Sequence, residues 1–121
     1  MLKIRITRQQ YKILFFITAT AVFILAIIPN DYIDDYVDNA DKWKHFIAFF
    51  TLSYLLNRAS STIAHRIRNM IALLLFGIFI ELVQIYLTYR TSSIYDIYAD
   101  MVGILLFQLF LSLWRFITKA A

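Results

Sequence analysis

The hydrophobic positions of this chain form four long, nearly continuous runs. The first, Ile13 to Ile28, is apolar except for Thr18 and Thr20, and Pro29–Asn30 stops it. With Tyr11 and Lys12 in front it covers about 18 residues, close to the ~20 that a helix needs to cross a bilayer. The second, Trp43 to Leu56, is short, about 21 Å at ~1.5 Å per residue. It reaches bilayer thickness only by extending through Asp41 and Lys42 or past Asn57, with its end charges snorkelling to water. The third, Met70 to Leu87, is interrupted by Glu81 and Gln84, and the fourth, from about Asp96 to Ile117, by Asp100. No window alternates as a barrel strand would. Backbone in hydrocarbon must bond to itself, which predicts helices, here over roughly residues 11–28, 41–58, 69–87 and 96–117.

The connectors are short: Asn30 to Ala40 with four acids, Arg58 to Asn69 polar and basic, and Thr88 to Tyr95 with one Arg. There is no repeat, low-complexity tract or composition break, so residues 1–121 read as a single all-α, four-transmembrane-helix bundle. An alternative makes residues 1–28 a signal peptide. However, the small residues Ala19, Thr20 and Ala21 are followed by more apolar residues, and no small-residue cleavage site lies near Pro29. The segment is therefore expected to be retained as an anchor.

Composition strengthens the membrane reading. Apolar residues make up 61% of the 121, against ~45–50% for an ordinary globular domain, and mean hydropathy is +0.67. A small soluble domain has too little interior to hide so much apolar surface. The absence of Cys excludes disulfides, iron–sulfur clusters and thiolate zinc sites.

Charge supplies the orientation. The net charge is +4, which could suit nucleic acid, but basic and acidic residues are segregated along the chain. Lys3, Arg5, Arg8, Lys12, Arg58, Arg66, Arg68, Arg115 and Lys119 fall on one side of the four crossings, and only Lys42, Lys44 and Arg90 on the other. Cytoplasmic loops carry the excess of Lys and Arg, so both termini are expected in the cytoplasm. Trp43, Tyr86, Tyr89, Tyr95 and Tyr98 then lie at the outer boundary and Trp114 at the inner one, as an aromatic belt does. No nucleic-acid partner is expected.

The remaining polar residues carry the candidate chemistry. Asp41, Lys42 and His45 open the second helix, and their i, i+4 and i, i+3 spacings place them on one face. Glu81 and Gln84 share a face of the third helix, and Asp96 and Asp100 a face of the fourth. All lie toward the extracytoplasmic ends. An ionised carboxylate in lipid costs on the order of 2.5–3.5 kcal/mol on the insertion scale, so Glu81 and Asp100 should face the bundle interior or a wet pocket. Arg90 is the nearest cation in sequence to the third and fourth helices and can pair with Asp96 or Glu81, or grip an anion bidentately. His45, Glu81, Asp96 and Asp100 are the candidates for acid–base catalysis. The candidate ligand-binding set is Asp41, Lys42, His45, Glu81, Gln84, Arg90, Asp96 and Asp100. One His with carboxylates on separate helices can bind a cation. No tight zincin-like spacing is present, and the three nearby cations oppose one, so no metal or cofactor is expected.

The ordered set Asp41-Lys42-x-x-His45-Phe46, Glu81-x-x-Gln84, Arg90 and Asp96-x-x-x-Asp100-x-x-Gly103 resembles the VanZ-like family of small bacterial membrane proteins. The resemblance runs from about Asp41 to Leu109. It departs from the family at Asp100, where Asn is usual. It implies a multi-pass protein of the bacterial cytoplasmic (inner) membrane, part of the cell envelope, in a family named for resistance to teicoplanin-type glycopeptide antibiotics. The expected partner is a membrane lipid or lipid-linked cell-wall precursor, its headgroup held in an outward-facing polar pocket. Two alternatives stand beside this: a membrane-embedded hydrolase or transferase acting on a phospholipid-like substrate, and a non-catalytic structural subunit of an envelope complex.

Overall fold

The computed structural model of the chain describes residues 5–28, 40–60, 65–87 and 94–120, excluding the side chains of 40, 41, 119 and 120. The four hydrophobic runs are four helices: α1 (Arg8–Ile27), α2 (Ala40–Ala59), α3 (Arg66–Tyr86) and α4 (Ile94–Ala120). There is no strand among the described residues.

All four helices start before their apolar run does. Hydrophobicity marks the stretch that suits hydrocarbon, whereas backbone hydrogen bonding carries the helix on into the polar boundary. Thr7 shows how α1 starts at Arg8. Its hydroxyl accepts from the Gln10 backbone N–H at 3.1 Å, and the Gln10 side chain accepts from the Thr7 N–H at 2.9 Å. This reciprocal capping box satisfies two donors. At the other end Ile28 is extended, the conformation that a following proline favours.

Polarity is reversed relative to a water-soluble protein. Phe16, Leu25, Leu75, Ile85, Trp114 and Phe116 are exposed, while Ser53, Asn69, Glu81, Gln84, Asp96 and Asp100 are buried. A contiguous apolar exterior of this extent marks contact with lipid or a partner. Three helices are long and apolar enough to cross a membrane: Arg8–Ile27, Arg66–Tyr86 and Ile94–Thr118.

The remaining helix, α2, is the centre of the bundle and packs against each of the other three, most extensively against α4. Phe49, Leu52, Ser53, Leu55 and Ala59 are all buried. Enclosed in this way, α2 tolerates the half-buried His45 and Asn57 better than an outward-facing helix would, while Lys44 is exposed. The core joins Phe49 and Leu52 of α2 to Leu73 and Ile80 of α3, Ile104 of α4 and Ala26 of α1.

The α2–α4 crossing depends on Gly103. A Cβ there would lie 2.5 Å from the Phe46 carbonyl oxygen and 3.1 Å from the Phe50 nitrogen, so the two backbones touch at this point. Small residues permit such contact between membrane helices. The crossing sets how far α4 slides along α2, and so which of its residues meet His45.

Candidate functional site

One end of the bundle gathers Lys42 and His45 from the start of α2, Glu81 from the last two turns of α3, and Asp96 and Asp100 from the start of α4. Asp100 Oδ1 lies 2.8 Å from His45 Nδ1. With the carboxylate ionised, Nδ1–H donates to it, which fixes the ring plane and its tautomer. Nε2 then points between two further carboxylates, 3.9 Å from Glu81 Oε1 and 3.8 Å from Asp96 Oδ2. These are ion-pair distances, beyond direct hydrogen-bond range. Lys42 Nζ stands 3.7 Å from Asp96 Oδ1.

The three carboxylates are almost completely buried: Glu81 is 4% exposed, Asp96 1% and Asp100 0%. The two nitrogen-bearing side chains grade outward. The His45 side chain is 10% exposed and that of Lys42 is 37% exposed. The layer is thus acidic at its inner side and opens to solvent past Lys42. Asp96 lies in the first turn of α4, where the helix dipole favours a negative charge by about 0.3–1 kcal/mol. Asp100, one turn deeper, lies against His45.

Room for Asp100 comes from Gly77, a residue with no part in the sequence expectations. A Cβ at Gly77 would lie 2.6 Å from Asp100 Oδ2, 3.3 Å from its Cγ and 3.4 Å from Phe49 Cζ. The sequence signal was available, since Gly77 precedes Glu81 by one helical turn and so shares its face.

Of the residues singled out from sequence, Lys42, His45, Glu81, Asp96 and Asp100 come together. Gln84 does not join them. Its Nε2 donates to the Ala26 carbonyl at 2.9 Å, one of the C-terminal carbonyls of α1 left without an intrahelical partner. Gln84 therefore ties α3 to α1. The side chain of Asp41 and all of Arg90 lie outside the described residues.

The arrangement offers two kinds of chemistry. A histidine held through Nδ1 by a buried carboxylate is oriented for proton transfer at Nε2. His45, Glu81 and Asp96 also present donor atoms within 4.8 Å of one another. That spacing is compatible with a shared cation of oxygen–nitrogen coordination, with Asp100 as the carboxylate behind the histidine.

The family described as VanZ/LLP1 matches the chain over residues 3–115, so the match includes all four helix cores and every residue of the polar layer. Neither a curated protein nor a solved structure matches it.

Proposed function

The chain belongs to the VanZ/LLP1 family, and from that premise we propose that it crosses the bacterial cytoplasmic membrane four times and receives the headgroup of a lipid or lipid-linked cell-wall precursor in its polar layer. In this reading α2 is the fourth crossing. Its 20 residues give about 30 Å of helix, and its neighbours screen its charges from lipid. Both termini are cytoplasmic, a placement that the segregation of Lys and Arg supports, and the polar layer faces the extracytoplasmic side.

The observation that carries the binding proposal is the pinned His45, held by Asp100 at 2.8 Å with Nε2 directed between Glu81 and Asp96. Packing alone would be served better by apolar residues of similar volume, because buried charges rarely increase net stability. The balance of charge specifies what the layer suits. Lys42 and His45 already lie against carboxylates, so the headgroup is recognised chiefly through hydrogen-bond donors, such as sugar hydroxyls, amide N–H groups or an ammonium, accepted by Glu81 and Asp96. Lys42, the most exposed member, meets any phosphate at the rim.

The His45–Asp100 contact favours one second reading, a membrane-embedded hydrolase or transferase. His45 Nε2 would take the proton of a water or substrate hydroxyl as it attacks, and Asp100 would stabilise the resulting imidazolium.

One experiment separates the readings. Wild-type protein and Glu81→Gln, both in lipid nanodiscs, are titrated with a purified lipid-linked cell-wall precursor, and product formation is followed alongside. Saturable binding without turnover, weakened at least about tenfold by Glu81→Gln in a protein of unchanged unfolding midpoint, supports headgroup binding. Turnover lost in His45→Gln supports the enzyme. Neither binding nor turnover leaves the layer a structural lock and overturns both.

A further inference from the structure

The opposite end of the bundle carries a second feature, unused by the function proposed above. A cavity of about 480 Å³ opens among the first turns of α1, the end of α2 and the start of α3. Arg8, Lys12, His65 and Arg68 line its polar part, and Phe15 and Leu56 its apolar part. The volume is that of an ordinary small-ligand site.

Three observations make it a site for an anion. First, every ion pair among the described residues involves Lys42 or His45 at the other end, so no described carboxylate answers Arg8, Lys12 or Arg68. Neighbouring arginines are committed elsewhere: Arg66 donates to the Gln108 side chain at 2.7 Å and to Ser112 at 2.9 Å, and Arg58 stacks on the Tyr11 ring, whereas Arg68 gives one Nη to the Asn69 side-chain oxygen at 3.2 Å and has no described carboxylate partner. Second, His65 Nδ1 is buried and has no hydrogen-bond partner among the described residues. Third, α3 begins at this cavity with His65 as its N-cap and no side-chain cap. The His65 side chain accepts no hydrogen bond from the first-turn N–H groups, and the helix dipole is positive here. The end of α2 is tied to α3 just beside the cavity, where Asn69 donates to Ser60 at 2.8 Å, so its walls are braced.

We infer that this cavity binds the phosphate of an anionic phospholipid, with the first methylenes of an acyl chain lying over Phe15 and Leu56. Basic pockets between membrane helices suit acidic headgroups in this way. A cationic rim over an aromatic and aliphatic floor matches an amphiphile better than a free anion, which would leave the floor wet.

The test titrates the full-length protein in neutral detergent with short-chain phosphatidylglycerol, phosphatidylcholine or inorganic phosphate, and counts bound lipid by native mass spectrometry. The expected result is one phosphatidylglycerol retained in preference to phosphatidylcholine. Arg68→Gln and Lys12→Gln should each weaken it about fivefold. Arg115→Gln removes an equal charge from the same end, outside the cavity, and should leave retention unchanged. Lys12 is exposed on α1, so its variant remains informative should Arg68→Gln fail to fold. Equal loss in Arg115→Gln would reduce the effect to diffuse attraction and overturn the site. Displacement of the lipid by inorganic phosphate would make the occupant a soluble anion and overturn the lipid assignment. Glu81→Gln should not alter this retention, so failure of the headgroup proposal leaves this one standing.

Discussion

The two ends of this bundle handle charge in opposite ways. At one end three carboxylates are drawn inside and held against His45 and Lys42, with Asp96 and Asp100 almost wholly out of contact with the surroundings. At the other, Arg8, Lys12 and Arg68 line an open cavity with no described carboxylate near them. Long basic side chains can reach a polar boundary while their stems stay in hydrocarbon. A short carboxylate cannot, so it must bring its partner inside. The contrast follows from side-chain length as much as from sign, and it divides the molecule into an end organised for internal contacts and an end organised for external ones.

The largest effect that can break this comparison is all-or-none. If the two ends lie on opposite sides of a membrane, single cysteines introduced at Gln9 and Ser92, in a chain with no native Cys, should react differently in intact cells. An impermeant thiol reagent should label Ser92→Cys fully and Gln9→Cys only after the cells are opened. Labelling of both from outside would place the ends on one side and remove the four-crossing topology.

Next in size is the cost of breaking the internal pair. His45→Ala takes away the group 2.8 Å from a wholly buried Asp100. Removing one member of a buried pair costs about 3–5 kcal/mol, measurable as a lower unfolding midpoint in mixed micelles. Adding Asp100→Asn should recover a large part of that loss, because the charge left behind is then gone. A double-mutant cycle reads the coupling directly. Additive effects would mean that this end, like the basic one, holds its charges independently, and the comparison would collapse.

How much of this was legible beforehand differs between helices and the contacts among them. Run lengths located all four helices, the i, i+3 and i, i+4 spacings grouped Lys42 with His45, Glu81 with Gln84 and Asp96 with Asp100, and the cost of a carboxylate in lipid turned Glu81 and Asp100 inward, because depth and face are properties of one helix at a time. The pairing of His45 with Asp100, 55 residues apart, was not legible, because it depends on the register of α4 against α2. That register is set where Gly103 meets the Phe46 carbonyl and where Gly77 leaves space for the Asp100 carboxylate. The central position of α2 was hidden too: its polar residues read as a weak crossing, whereas α2 is the helix that packs against each of the other three. The basic cavity was invisible because Arg8, Lys12, His65 and Arg68 belong to two helices that only the fold brings together, and from sequence the Arg and Lys residues serve as topology markers.

The smallest effect sharpens the boundary of the polar layer. Gln84 sits on the same face as Glu81, yet its side-chain N–H goes to the Ala26 carbonyl of α1, so it should act on stability and not on headgroup binding. Gln84→Leu loses that bond, and interhelical hydrogen bonds of this kind contribute about 0.6 kcal/mol on average and up to ~1.7 kcal/mol in membranes. The same change removes Gln84 Oε1, a buried acceptor without a partner among the described residues, which offsets part of the cost. Gln84→Glu keeps the acceptors, loses the donor and adds a buried charge, so it should destabilise more than Gln84→Leu. The expected order of unfolding midpoints is therefore wild type, then Gln84→Leu, then Gln84→Glu, with precursor binding by Gln84→Leu within about twofold of wild type. A loss of binding in Gln84→Leu as large as that in Glu81→Gln would place Gln84 inside the layer and make its bond to α1 part of the site.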